Sequence, residues 1–256
     1  MTDWFLQQGH GVRFEWGSVG ARVLAGDVVC LVVVDVLSFT TSVTVVAERG
    51  TQVFPYAWRD ATARAFAEAQ KAELAVGRRA MTVEAPWSLS PAALRRAPFT
   101  ARLVLPSPNG SAIAAAAGGT TVIAGCLRNA TAVGRRLAAQ GYGTEDRPVG
   151  VVAAGERWPD GSLRPALEDL LGAGAIIAEL RAQGAGPLSP EASAARAAFM
   201  GTADVADAVA DCASGRELTR GGFPDDVAIA TEVDVSVAVP VLTDGAFSVV
   251  PEAGRH

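Results

Sequence analysis

The 256-residue sequence predicts an α/β fold, with helices on both faces of a mostly parallel, mixed sheet in three layers. Three observations predict it. Short runs rich in Val, Ile and Leu alternate along the chain with alanine-rich amphipathic segments. Several of those runs are apolar without interruption, the pattern of strands covered on both faces. The composition, 50% hydrophobic and 19% charged, supplies a core large enough for such layers.

Residues 28–34, VVCLVVV, are the clearest buried strand. Helical composition follows over 40–49, and Gly50 is a natural stop. Residues 52–56 read as a strand and 61–71 as a helix with Asp60 as its N-cap. A short strand is expected at 74–76 and another at 103–105, with a helix starting near Ser111. Residues 121–124 form a strand and 129–140 a helix. The segment GYGTEDRP, 141–148, is turn-rich and is a candidate boundary between two lobes of what otherwise reads as a single unit. Beyond it lie a strand at 149–154 and a helix at 167–183 that is apolar nearly all round, hence buried. Residues 187–231 read as helical, with turns at Pro190, Gly201, Gly215 and Gly221-Gly222. Closing strands are expected at 235–242 and 247–250.

Composition excludes several function classes. The net charge is -5 and no basic run exceeds two residues, which argues against nucleic acid as a partner. The longest aliphatic run near the N-terminus, 28–34, is far short of the roughly 20 residues a membrane span needs. The three cysteines are widely spaced, with no Cys-x-x-Cys pair, and read as buried thiols of a reducing compartment. No signal peptide is visible in MTDWFLQQGH, so a cytoplasmic protein is expected. The only histidines, His10 and His256, lie near the termini, which argues against histidine-centred catalysis.

Ligands of such sheets bind beyond the carboxyl ends of strands, so the strand-to-helix junctions are the place to look. In LVLPSPNGSAI, a strand passes through Ser107, Asn109, Gly110 and Ser111 into a helix. Backbone amides and hydroxyls at a helix start suit a phosphate, and Gly110 permits close approach. An ordinary capped turn is the competing reading. Asp35 ends the most apolar strand, where a buried carboxylate needs a cation or donors, or serves as a helix cap. Glu156 also follows a strand directly, and Glu168-Asp169 opens the buried helix, where acids also complement the helix dipole. With Asp226 of PDDVAIA, these carboxylates are hard oxygen ligands of the kind Mg²⁺ prefers.

The junctions DVLSFTTSV, LPSPNGSAI, AGCLRNATAV, AAGERWPDGSLRPALEDLLGAGAI and PDDVAIATEVDVSVAVPV resemble, in order and spacing, the motifs of the 2-phosphosulfolactate phosphatase family, over about 13–243. The resemblance implies an α/β fold and Mg²⁺-dependent hydrolysis of the phosphate monoester of 2-phospho-3-sulfolactate, a step of coenzyme M biosynthesis. It carries over Asp35, Thr40, Ser107, Asn109, Gly110, Asn129, Glu156, Glu168, Asp169 and Asp226. The chain departs from the pattern at Ser38, where arginine is usual, and at Gly77-Arg78-Arg79, where Gly-Glu-Arg is typical. It also departs at Leu89, where asparagine is expected, and at Arg128, where the family tends to be apolar. Arg128 or Arg78 is the expected replacement for the missing cation.

The expectations are then concrete. Asp35 and Glu156 are the catalytic candidates. Thr40, Ser107, Asn109, Gly110, Ser111, Arg128, Asn129 and Arg157 are candidates for substrate binding. Asp35, Glu156, Glu168, Asp169 and Asp226 are candidates for Mg²⁺. The expected partner is a small anionic phosphorylated substrate, and a homodimer is left open. The alternative function is a non-catalytic binder of an anionic metabolite.

Overall fold

The structure, a computed structural model, describes residues 4–57 and 61–249. The chain runs β1 (Val12–Trp16), α1 (Gly17–Ala25), β2 (Cys30–Val34), α2 (Phe39–Ala47), β3 (Gln52–Tyr56), α3 (Ala61–Gln70) and β4 (Glu73–Leu74). It continues through α4 (Pro91–Arg96), β5 (Arg102–Pro106), α5 (Gly110–Ala116), β6 (Thr121–Gly125), α6 (Ala130–Ala139) and β7 (Val149–Ala153). A small hairpin, β8 (Glu156–Arg157) and β9 (Leu163–Arg164), leads to α7 (Leu167–Ala182). Four helices follow, α8 (Pro190–Gly201), α9 (Val205–Asp211), α10 (Ala213–Arg220) and α11 (Pro224–Ala230), before the closing strands β10 (Pro240–Thr243) and β11 (Ala246–Val249).

The main sheet has nine strands in the order β1-β7-β2-β6-β10-β11-β3-β5-β4. The strands β1, β7, β2 and β6 pair in parallel, as do β3, β5 and β4. The β10–β11 hairpin joins these two groups through antiparallel pairings. Strand β7, which lies beyond 141–148, inserts between β1 and β2.

Alternation along β2 explains the three layers. Cys30, Val32 and Val34 join the core under α6, α7 and α8, where Val133, Leu137, Leu171, Ile176 and Ala195 are buried. Leu31 and Val33 join the opposite core, with Leu24 of α1, Val43 and Val46 of α2 and Ile113 of α5. A strand buried on both faces has no place for a polar residue until it ends, at Asp35. Helix α7 lies close to the sheet because Gly172 has no side chain; a Cβ there would meet Val36 Cγ2 at 2.8 Å and Val34 Cγ1 at 2.9 Å.

Several expectations need adjustment. The sequence reading leaves out β1 and α1: VRFEW is short and interrupted by charges, and GSVGARVLA is rich in glycine. Residues 235–239 were expected to be strand, but ladder pairing begins only at Pro240. Polar side chains take the backbone groups instead: Asn129 Nδ2 donates to the Ala238 carbonyl at 2.9 Å, and Ala238 N–H donates to Ser236 Oγ at 3.1 Å. The turn expected at Gly215 falls at Cys212, whose thiol caps α10. Asp60 as a cap, and the end of the last strand at Val250, lie outside the described residues.

Candidate active site

Three junctions converge. Asp35, just beyond β2, accepts the Phe39 N–H on Oδ1 at 3.0 Å and the Gly110 N–H on Oδ2 at 2.9 Å. The first bond holds the start of α2; the second ties in the loop after β5. Gly110 is needed at this contact, since a Cβ would stand 2.4 Å from Phe39 Cδ1 and 2.8 Å from Asp35 Oδ2. Its neighbour Asn109 donates from Nδ2 to Glu156 Oε2 at 3.1 Å, tying in the loop after β7. Asp169, in the first turn of α7, fastens two of these loops: Oδ1 accepts the Val36 N–H at 2.7 Å and Oδ2 the Gly155 N–H at 2.8 Å.

Glu168 completes the group. It is 1% exposed; Oε2 accepts the Cys212 thiol at 3.2 Å, and Oε1 is buried with no hydrogen-bond partner. Four carboxylates thus lie in one another's fields. Burial pushes the Asp35 carboxyl up to about 6, with Glu168 adding repulsion against the amides that favour its charge. Glu156 is pushed up to about 7 by burial and by repulsion from Asp35 and Glu168. Asp169 is raised well above the ordinary carboxylate range by burial and by Glu168 and Asp35.

Arg78 brings a cation beside this cluster. Its Nε pairs with Asp226 Oδ2 at 2.9 Å, its Nη2 donates to Ser38 Oγ at 2.8 Å, and the guanidinium stacks over Phe223. It also bears electrostatically on Asp35. Of the two candidates for the missing cation, Arg78 is therefore the one that reaches Ser38.

Other expected residues are placed elsewhere or turned to structural work. Arg128 is buried with its charge spent on Glu232 and Glu48. Asn129 is fully buried; Oδ1 accepts the Cys126 N–H, and Nδ2 bridges the Ala124 and Ala238 carbonyls. Asp226 is occupied by Arg78, Ser90 Oγ and the Ala92 N–H at the start of α4. Thr40 donates its hydroxyl to the Asp35 carbonyl, and Ser111 donates to the Leu105 carbonyl, so both serve the turn rather than open space. Ser107 is buried, its N–H on the Tyr56 carbonyl. Arg157, by contrast, stays with the site: it is exposed, lines the same cavity as Asn109 and Glu156, and donates to the Gly161 carbonyl at 3.0 Å. Cys212, which sequence reasoning did not connect to the site, had no signal: its link to Glu168 spans 44 residues.

A cavity of about 230 Å³ opens beside Asn109 and Glu156. Among the described residues, no group of three or more His, Cys, Asp or Glu side chains is arranged to hold a metal ion by itself.

Carboxylates gathered at strand ends, beside a cation and a small cavity, stand where open α/β sheets bind their ligands. The sequence model of the 2-phosphosulpholactate phosphatase family matches residues 21–245, most of the chain, and the chain belongs to that family. The protein is accordingly a phosphoric monoester hydrolase. No individual curated protein matches it. No helix among the described residues is long and apolar enough to cross a membrane.

Proposed function

We propose that the chain hydrolyses the phosphate monoester of 2-phospho-3-sulfolactate, or of a related phosphorylated 2-hydroxy acid, with Mg²⁺ at the acidic cluster. The observation that carries the reading is Glu168 Oε1, a buried carboxylate oxygen with no partner among Asp35, Glu156 and Asp169. A buried carboxylate oxygen without a donor is a place for a cation. The residues suit Mg²⁺, which takes one or two carboxylates and leaves its other positions to water and substrate phosphate, so three protein ligands are not required. Glu168 and Asp35 would hold the ion. When bound, it would supply polarisation of the phosphoryl oxygens and orientation of water.

The chain's own groups divide the remaining work. Glu156 borders the cavity and, with its carboxyl pushed up to about 7, is the general base that takes a proton from the attacking water. Asn109 Nδ2 holds the Glu156 carboxylate in place. Arg78 offsets charge on the phosphoryl oxygens as the P–O bond to the substrate breaks, and the departing alkoxide takes up the proton that Glu156 removed from water. Asp35 is a poor nucleophile, since each of its oxygens already accepts a backbone amide, from Phe39 and from Gly110; those bonds fix the carboxylate where it would face the ion. Water therefore attacks phosphorus directly. The free thiols of Cys30, Cys126 and Cys212 favour a reducing, cytoplasmic setting.

The test is phosphate release from a panel of 2-phosphocarboxylates, before and after chelation and Mg²⁺ readdition. Release that depends on Mg²⁺ is expected. Thermal stabilisation by the esters with no release would instead make the protein a binder of anionic metabolites.

A further inference from the structure

Cys212 has no role in the chemistry above, yet its thiol is the partner that holds Glu168. It stands half-buried at the α9–α10 junction, where Sγ accepts the Gly215 N–H at 3.4 Å and caps α10. Its one proton goes to Glu168 Oε2 at 3.2 Å. An ionised carboxylate has no proton to give, so the sulfur is the donor. The junction is held from several sides. Val209 of α9 is buried in the core that Leu171 of α7 shares. Gly215 fits so closely against α9 that a Cβ would stand 2.1 Å from the Val209 carbonyl oxygen. Arg164 Nη2 of β9 donates to Ser214 Oγ at 3.2 Å, which ties the junction to the hairpin that carries Glu156. The sulfur is thereby fixed relative to α7.

The consequence falls on the other oxygen of Glu168. The residue is 1% exposed and Oε1 has no hydrogen-bond partner, while Asp35, Glu156 and Asp169 all lie in its field. A donor on Oε2 fixes the plane of the carboxylate and leaves Oε1 open. We infer that Cys212 is a positioning residue for the metal-dependent reaction: its thiol engages Glu168 Oε2 and so reserves Oε1 for the divalent cation. The inference rests on the proposed placing of Mg²⁺ at the acidic cluster. Partners of metal-ligating carboxylates govern metal affinity in this way, and a neutral thiol does so without adding a positive charge that would compete with the ion.

The test is calorimetric titration of the metal-free full-length protein with Mg²⁺ at pH 8. Cys212→Ala should raise Kd about tenfold, the lower end of what loss of such a partner costs. Cys212→Ser keeps a donor for Glu168 and a cap for Gly215, and should stay within about twofold of the parent. Cys212→Val fills the space without a donor and gives the same comparison where the alanine variant does not fold. Asp204→Ala removes the equivalent cap of α9, on the Asp207 N–H at 2.9 Å, without touching Glu168. It should lower Tm and leave Kd within about twofold of the parent. A folded Ala or Val variant with the parent's Kd overturns the inference and leaves the proposed phosphatase chemistry intact. So does a Ser or Asp204→Ala variant whose Kd rises as far as that of Cys212→Ala. A parent that binds no Mg²⁺ overturns the inference; if it also releases phosphate from none of the 2-phosphocarboxylates, the proposed function falls with it.

Discussion

Replacing Glu156 with Gln separates the electrostatics of the site from its packing. In the folded protein the Glu156 carboxyl is pushed from its ordinary 4.5 up to about 7. A carboxyl raised on folding binds its proton more tightly in the native state than in the unfolded chain. Its contribution to stability is therefore intact below about pH 4.5 and is lost as pH rises towards 7. One pKa unit is worth about 1.4 kcal/mol, so full burial would give a loss of about 3 kcal/mol. Glu156 retains partial access to solvent, and its neighbours titrate with it, so about 2 kcal/mol is the working figure. Gln keeps an oxygen for the Asn109 amide and has no charge. Glu156→Gln should therefore match the parent at pH 4.5 and exceed it by about 2 kcal/mol at pH 8 in metal-free buffer. Urea denaturation at a series of pH values measures this directly. A difference that is the same at every pH, or a variant less stable at pH 8, would refute the claim that Glu156 sits in a repulsive cluster.

The same linkage predicts that Mg²⁺ raises Tm more at pH 8 than at pH 5, since protons and the cation compete for the carboxylates; equal shifts by scanning calorimetry would count against it. Gly110→Ala should cost about 1–3 kcal/mol and most of the activity, because the added methyl drives into Phe39 and Asp35; a normal Tm would show that the contact is looser. Arg78→Ala should raise KM for a phosphate ester at least tenfold, with Arg78→Lys intermediate, and should lower Tm by leaving Asp226 without its cation. Arg128→Met should lower Tm by freeing Glu48 and Glu232 from their pairing, yet leave KM within twofold; a large KM effect would return Arg128 to the substrate. Chemical quench with a radiolabelled ester should find no protein-bound phosphate, whereas labelled Asp35 would establish a phosphoenzyme.

What the sequence by itself determined is local. The runs 52–56 and 121–124 lie in strands because β-branched and apolar residues there cannot be covered as part of a helix face, and α7 is legible from its all-round apolar composition. Asp35 and Glu156 stood out because a polar residue just past a buried strand is expensive, and Asn109 because it lies in a Ser-Pro-Asn-Gly turn that opens a helix. Which acids meet, and which merely share a motif, was decided by tertiary structure. Asp35 reaches Gly110 across 75 positions and Asp169 reaches Val36 across 133, contacts set by strand order and not by any neighbouring residue. The same long-range packing sends Arg78 to Ser38 and Arg128 to Glu232, two arginines that look alike in the sequence. Electrostatic fields depend on distance through space, so the charge of the site could be read only once the chain was folded.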